Sequence, residues 1–420
     1  MKILLRQVLI ADPLSPHHDS TVDILIDNGT ITEIGKISAK ADSEFTVKDA
    51  CVSPGWVDIF ADTCDPGFEF RETIETAAAA ALAGGFTALF TLPNTSPCVC
   101  SKSQVEYIRQ RAANLPVQFF PLGAITKNIA GKELAEMYDM QSSGAIAFTD
   151  GWQPVQTPGL FLKALQYVKA FSGVLIQLPV DSSIGAHGLM NEGIVSTQLG
   201  LPGIPALAEE NMIRRDIELL RYTGSRLHIT GISTAKSLGL IRQAKGEGLD
   251  VTCSVTPHHL YFCDEDLREY DTNLKVNPPL RTTADRQALR EGVLNGDIDC
   301  IATHHLPQDS DHKICEFESA GPGMTALQTA FSITCESLPT LGPGRVAELF
   351  GTAARRIFAL PTATIQKGAE AGLTIFSLSG HSTPERANVK SRSFNTPFLG
   401  QTLRGKVLGT FTKGKLFLTN

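Results

Sequence analysis

The run FTALFTLPN at residues 86–94, followed by VEYIRQRAAN at 105–114, decides the fold. A short apolar run followed by a longer helical stretch reads as a buried strand feeding a helix. The same pair recurs outward in VQFFPLGAI (117–125) with KELAEMYDM (132–140), and in GAIAFTD (144–150) with LFLKALQYVKAF (160–171). It continues through VLIQLPV (174–180), IRRDIELLRYTG (213–224), RLHITGIS (226–233), AKSLGLIRQAKGEG (235–248), VTCSVTP (251–257) and DCIAT (299–303). Repeated strand–helix units imply parallel strands, and about eight of them imply a closed (β/α)8 TIM barrel rather than an open sheet.

Both flanks read differently. Residues 1–52 alternate apolar and polar positions, as in VDILIDNGTITEIGKI (22–37), where Asn28-Gly29 is a strong hairpin signal. Residues 361–420 return to short strands, LTIFSLSG (373–380) and GKVLGTFTKGKLFLTN (405–420), with Lys413-Gly414 at a hairpin tip. The expected architecture is an α/β barrel over 53–360 and a small β-sandwich domain built from both termini.

Composition narrows the function. A length of 420 residues accommodates a barrel with one satellite, and 42% hydrophobic with 19% charged residues suits a soluble protein with a large core. A net charge of -7 without any Lys/Arg-rich run argues against nucleic acid. The opening MKILLRQVLIAD meets Asp12 and no small-residue cleavage site, so it reads as a strand rather than a signal peptide, and no run reaches membrane-spanning length. A cytoplasmic protein without membrane contact is expected. Nine cysteines without framework spacing read as reduced, mostly buried thiols, with Cys98 and Cys100 as packing residues.

In such barrels the chemistry sits at the C-terminal strand ends. The stretches there include PGWVDIFADTCDPG (54–67), TLPNT (91–95), GAIAFTDG (144–151), VTCSVTPHHLYF (251–262), LKVNPPLRTTADRQALREG (274–292), DIDCIATHHLPQ (297–308) and GPGMTALQTA (321–330). With the closing NTPFLGQTLRGKVLGTFTKGK (395–415), they resemble the dihydroorotases of the amidohydrolase superfamily from end to end. The resemblance implies a barrel with a β-sandwich satellite and a homodimer. It also implies opening and closing of a dihydropyrimidine ring at a zinc centre, with a metal-bound hydroxide attacking the ring amide and an aspartate moving the proton.

Against that family this chain departs at the metal positions. The family's Asp-x-His-x-His-x-Arg reads Asp58, Phe60, Asp62 and Cys64 here. The bridging carboxylate is kept as Asp150, the two middle-strand histidines become Gln177 and Gly231, and the catalytic aspartate becomes His304. A benzyl ring and a glycine offer no lone pair, and a catalytic zinc needs at least three protein ligands. No zinc is expected, and a catalytic role for His304 is doubtful. Of the family's substrate-carboxylate contacts, Cys64 and Gln308 replace Arg and His while Asn94 persists, and the ring contacts Asn277, Pro322 and Gly323 remain.

Other polar residues read as structural. His258 and His259 belong to a TPHHL motif that active relatives carry, and His187 and His228 read as hydrogen-bonded packing residues. Asp150 is as well explained by hydrogen bonding at the pocket floor as by function. Only one of the adjacent His304 and His305 is expected to face the mouth. A rebuilt site joining them with Asp62, Asp150, Gln308 and His312 is the minor alternative. Glu209, Glu210 and Arg214 read as a solvated or subunit-facing surface. The expected function is a catalytically silent dihydroorotase homologue with a structural or regulatory role, possible in assembly with aspartate transcarbamoylase. The alternatives are an active cyclic-amide hydrolase (dihydroorotase, hydantoinase or allantoinase type) using zinc or another metal, and a small-molecule sensor.

Overall fold

The structure is a computed structural model and describes residues 2–419. Strands β1 (Lys2–Ile10), β2 (Thr21–Asp27), β3 (Thr30–Gly35), β4 (Ser43–Thr46) and β5 (Cys51–Pro54) open the chain. The barrel strands follow as β6 (Trp56–Ala61), β7 (Phe86–Thr91), β8 (Gln118–Gly123), β9 (Ala147–Phe148) and β10 (Leu175–Gln177). A small parallel pair, β11 (Met190–Asn191) and β12 (Gly203–Ile204), precedes the last barrel strands β13 (Leu227–Ile229), β14 (Val251–Val255) and β15 (Cys300–Ile301). Strands β16 (Leu373–Ser382), β17 (Leu403–Thr412) and β18 (Lys415–Leu418) end the chain.

The eight barrel strands run in the order β6-β7-β8-β9-β10-β13-β14-β15, parallel throughout. Every residue of β6 and β7 is buried, which is why these segments read as unbroken apolar runs. The ring closes where β6 meets the end of β15. There Ala61 bridges His305, and the Asp62 N–H donates to the His305 carbonyl at 2.8 Å. The Asp58 carboxylate reinforces the seam, accepting the Thr303 N–H at 2.7 Å and its hydroxyl at 2.9 Å.

Helices start on side-chain caps. Thr73 and Thr76 form a reciprocal capping box at the head of helix Ile74–Ala83, and Thr282 with Asp285 does the same for Thr283–Asn295. The stretch KELAEMYDM is not the full helix its composition suggests. Only Met137–Ser142 is helical, because Leu134 bridges back to Thr126 and the Ala135 N–H donates to the Ile125 carbonyl.

The terminal strands form one mixed sheet in the order β18-β17-β16-β5-β1-β2-β3, with β4 added on β1. Both hairpin readings hold, with Asp27 paired to Thr30 across Asn28-Gly29 and Thr412 paired to Lys415 across Lys413-Gly414. Trp56 joins sheet to barrel. Its ring centroid lies 4.9 Å from Phe350, 5.0 Å from Phe331 and 5.4 Å from Phe376 of β16, and its indole N–H donates to Ser53. No helix among the described residues is long and apolar enough to cross a membrane.

Candidate active site: an aromatic plug in the barrel mouth

Alternation along β6 puts Asp58, Phe60 and the following Asp62 on one side of the strand. Asp58 is consumed by the seam, and Phe60 meets two other rings. Its centroid lies 4.5 Å from the His304 imidazole, tilted by 31°, and 5.1 Å from the Trp152 indole at 85°. Trp152 and His304 are themselves 5.6 Å apart at 81°. The three form a closed cluster with the edge-to-face and tilted geometries that ring quadrupoles favour.

The Trp152 and His304 rings are fixed by polar contacts. The Trp152 indole N–H donates to Asp62 at 3.1 Å. The turn that carries Trp152 is held by Asn94, which donates to the Asp150 carbonyl at 3.1 Å and accepts the Trp152 N–H at 3.3 Å. Gly151, at φ +58, is required there, since a Cβ would stand 1.7 Å from the Asn94 Oδ1. His304 Nε2 pairs with the Thr230 hydroxyl at 2.8 Å. Gly231 follows Thr230 at φ +68, and a Cβ on it would stand 2.4 Å from His304 Cε1. Gly231, at an expected ligand position, and His304, at the expected catalytic position, are therefore one steric unit: the imidazole occupies the space a side chain at 231 would enter.

The carboxylates are also engaged. Asp150 accepts N–H groups from Ile125 at 2.8 Å and Thr126 at 2.9 Å, and the Thr126 hydroxyl at 2.5 Å. Burial outweighs these donors and pushes its pKa up to about 6. Asp62 accepts from the Cys64 N–H at 2.9 Å as well as from Trp152, and burial raises its pKa too. Gln177 donates to the Val155 carbonyl at 3.3 Å and its Oε1 is an orphaned buried acceptor.

Zinc, which the fold family implies, does not fit this donor set. Phe60 and Gly231 present no donor, Gln177 an amide, and His304 an imidazole already bonded through Nε2 and stacked on Phe60. Among the described residues no three His, Cys, Asp or Glu side chains are grouped to hold a metal ion.

The other expected site residues are scattered. Asn277 and Pro322 line an open cavity of about 690 Å³ with Lys275, Leu189 and Ile204, and Trp152 belongs to both its wall and the plug. Asn94 does not line it, and the Gly323 N–H is spent on the Lys275 carbonyl at 2.9 Å. Gln308 is turned onto the Pro322 carbonyl at 2.8 Å. His305 faces away from the plug, with Nε2 3.4 Å from Glu72 and Nδ1 accepting the Ala326 N–H at 3.1 Å. His312 is an exposed partner of Asp309. The proposed grouping of His304, His305, Gln308 and His312 around the two aspartates is thus not assembled.

His259 bridges the Thr256 hydroxyl and the Pro278 carbonyl, while His258 stacks on it. His228 bonds to Thr252 and Ser254 as a packing residue, but His187 is exposed, contrary to the packing role expected for it. Cys98 and Cys100 are half-buried rather than packed inside, both sulfurs approaching Asn128 Oδ1. The surface reading fails for Glu209 and Glu210, which are buried. Glu209 accepts the Ser233 and Thr234 N–H groups and sits 4.0 Å from the buried Arg281, while Arg214 is exposed. Sequence reasoning missed Trp152 altogether. Its signal was one of only two tryptophans directly after the Asp150-Gly151 strand end.

A parallel barrel carrying a sheet made from both chain ends, with candidate ligand positions at the strand ends, defines an amidohydrolase-type protein. Residues 50–237 match the family described as dihydro-orotase-like. Over its whole length the chain is 40% identical to a protein named dihydroorotase from Pelotomaculum thermopropionicum, covering 100% of this chain and 99% of that one. It is 37% identical to another from Syntrophus aciditrophicus, with 99% of each covered. The chain belongs to the dihydroorotase family. Its fold matches the L-hydantoinase of Arthrobacter aurescens at a TM-score of 0.86 and 22% identity, covering 99% of this chain and 95% of that one. It also matches the dihydropyrimidinase of Brevibacillus agri at 0.84 and 17%, covering 100% and 95%.

Proposed function

We propose that this dihydroorotase-family chain acts through its surface, as a catalytically silent partner in pyrimidine biosynthesis, and not through hydrolysis. The observation that carries the reading is the Phe60–Trp152–His304 plug, for which Gly231 makes room. Hydrolysis of a cyclic amide needs an activated water and a proton carrier facing the same substrate atom. Here the carboxylates Asp62 and Asp150 are engaged by two and three donors, and the His304 ring is stacked and buried. A hydrolase rebuilt on these three groups would first have to release Asp62 from the Trp152 indole and His304 from the Thr230 hydroxyl. Burial keeps the His304 pKa well below the usual histidine range, so the ring is a poor proton acceptor at neutral pH.

In this reading the chain is a cytoplasmic homodimer that assembles with aspartate transcarbamoylase. The deciding experiment uses the chain purified without chelators. Zinc well below one ion per chain, no turnover of dihydroorotate, and co-elution with aspartate transcarbamoylase are expected. Near-stoichiometric zinc with hydrolysis of dihydroorotate or a hydantoin would overturn silence, and a partner-free monomer would overturn assembly. The open cavity beside Asn277 and Pro322 favours one second reading, a sensor of pyrimidine precursors, which would register as a rise in melting temperature with dihydroorotate.

A further inference from the structure

A second cavity, of about 340 Å³, lies where the terminal sheet meets the barrel helices, and it shares no lining residue with the barrel mouth. Helix Ile74–Ala83 offers it the small side chains Ala79 and Ala83, one turn apart, and β18 offers Phe417 and Leu418. This gives a shallow apolar bed with an aromatic face. The lining also carries two cations, Lys390 and Lys406, together with His381.

Charge is unbalanced there. Among the described residues no aspartate or glutamate lines the cavity and neither lysine takes part in an ion pair. The walls are set in advance. Gln328 donates to the Asn388 carbonyl at 3.1 Å and accepts the Lys390 N–H at 2.5 Å. At the next two residues, buried Glu72 accepts the Ser391 hydroxyl and, at 3.0 Å, the Arg392 N–H. The strap carrying Lys390 is therefore pinned to two barrel-side residues, so a ligand would meet a formed site and lose little affinity to ordering it. The Ser332 and Ser382 hydroxyls, 2.7 Å apart, both meet the Gly405 carbonyl, at 2.8 and 3.2 Å, and fix that side of the cavity.

We propose that this cleft binds a planar organic anion, its ring against Phe417 and the Ala79–Ala83 face and its acidic head on Lys390 and Lys406. The size of the cavity suits a ligand of one or two fused rings rather than a peptide. The site is independent of what the barrel mouth does, so its success or failure leaves the silent reading untouched.

The test is a fluorescence titration of the full chain with 2-naphthoate, a planar fluorescent anion of two fused rings. One saturable site is expected, weakened about tenfold or more in K390M/K406M by loss of the charged contacts. Filling the bed with Ala79→Phe should abolish it, and rising salt should weaken it. Ala186→Trp, which fills the barrel-mouth cavity instead, should leave the titration unchanged. Unaltered affinity in K390M/K406M, loss in Ala186→Trp, or the absence of a saturable site would each overturn the proposal. Lys390 is exposed and Lys406 half-buried, so matching melting temperatures are the check that their replacement leaves the fold intact.

Discussion

At the scale of single residues, the site is best understood as paired exchanges. Gly231 and His304 occupy one volume, with an added Cβ only 2.4 Å from the imidazole. Gly231→Ala should therefore destabilise the chain by about 2–3 kcal/mol, from overpacking plus the left-handed backbone. His304→Ala empties that volume, so the double variant should cost less than the sum of the single ones, and a double-mutant cycle by urea unfolding measures the difference. Additive losses would separate the two residues. His304 also has a signature in pH. Burial holds its folded pKa far below the unfolded value of about 6.5, so stability present above that pH is lost as pH falls, by about 1.4 kcal/mol per unit. Asp58 and Asp150, raised to about 6, work in the opposite sense: their contribution is full below the unfolded carboxylate range and is lost as pH rises through about 6. The total curve mixes both, so the readout is a comparison. His304→Asn, which tolerates the φ of +48, should lose less stability than the parent between pH 6.5 and 5.

At the scale of elements, closure of the barrel rests on few bonds because β15 is only two residues long. Asp58 supplies what a longer ladder would, through two hydrogen bonds to Thr303. Asp58→Ala should remove about 2–4 kcal/mol, leaving a buried N–H and hydroxyl unpaired, and should raise hydrogen exchange first at the Thr303 and Asp62 amides. Uniform exchange over the whole barrel would argue against a local seam. The strands were legible in the sequence because burial on both faces writes a local, unbroken apolar run. The stretch 132–140 misled because its apolar spacing is helical while its backbone partners, Thr126 and Ile125, belong to the preceding loop. Glu209 misled for a similar reason: charge pattern on a helix does not reveal Ser233, Thr234 and Arg281 arriving from other segments. Phe60, Gln177 and Gly231, standing where the family resemblance leads one to expect ligands, could be read singly. Their consequence could not, since the plug needs Trp152 from a different strand end, and no local spacing links it to Phe60.

At the scale of the whole molecule, the plug reverses the usual relation between a site and stability. Active-site residues are commonly held at some expense to the fold, and a resident metal returns part of it by binding only the folded state. In this barrel the corresponding residues are core. Phe60 is fully buried, contacts two rings, and belongs to a hydrophobic cluster that includes Phe90, Leu122 and Ile176. Two consequences follow from that geometry. On the silent reading of the mouth, chelation with EDTA should leave the melting temperature unchanged. Phe60→His, which restores a family ligand, should lower stability by about 2–4 kcal/mol, since a polar ring would replace a packed benzyl group without a partner for its nitrogens. Added zinc should not recover that loss, because the Trp152 indole still caps Asp62 and Gly231 still adds no donor. If EDTA lowered the melting temperature of the parent chain, or zinc restored the Phe60→His variant, the mouth of this barrel would be a metal site and not a plug.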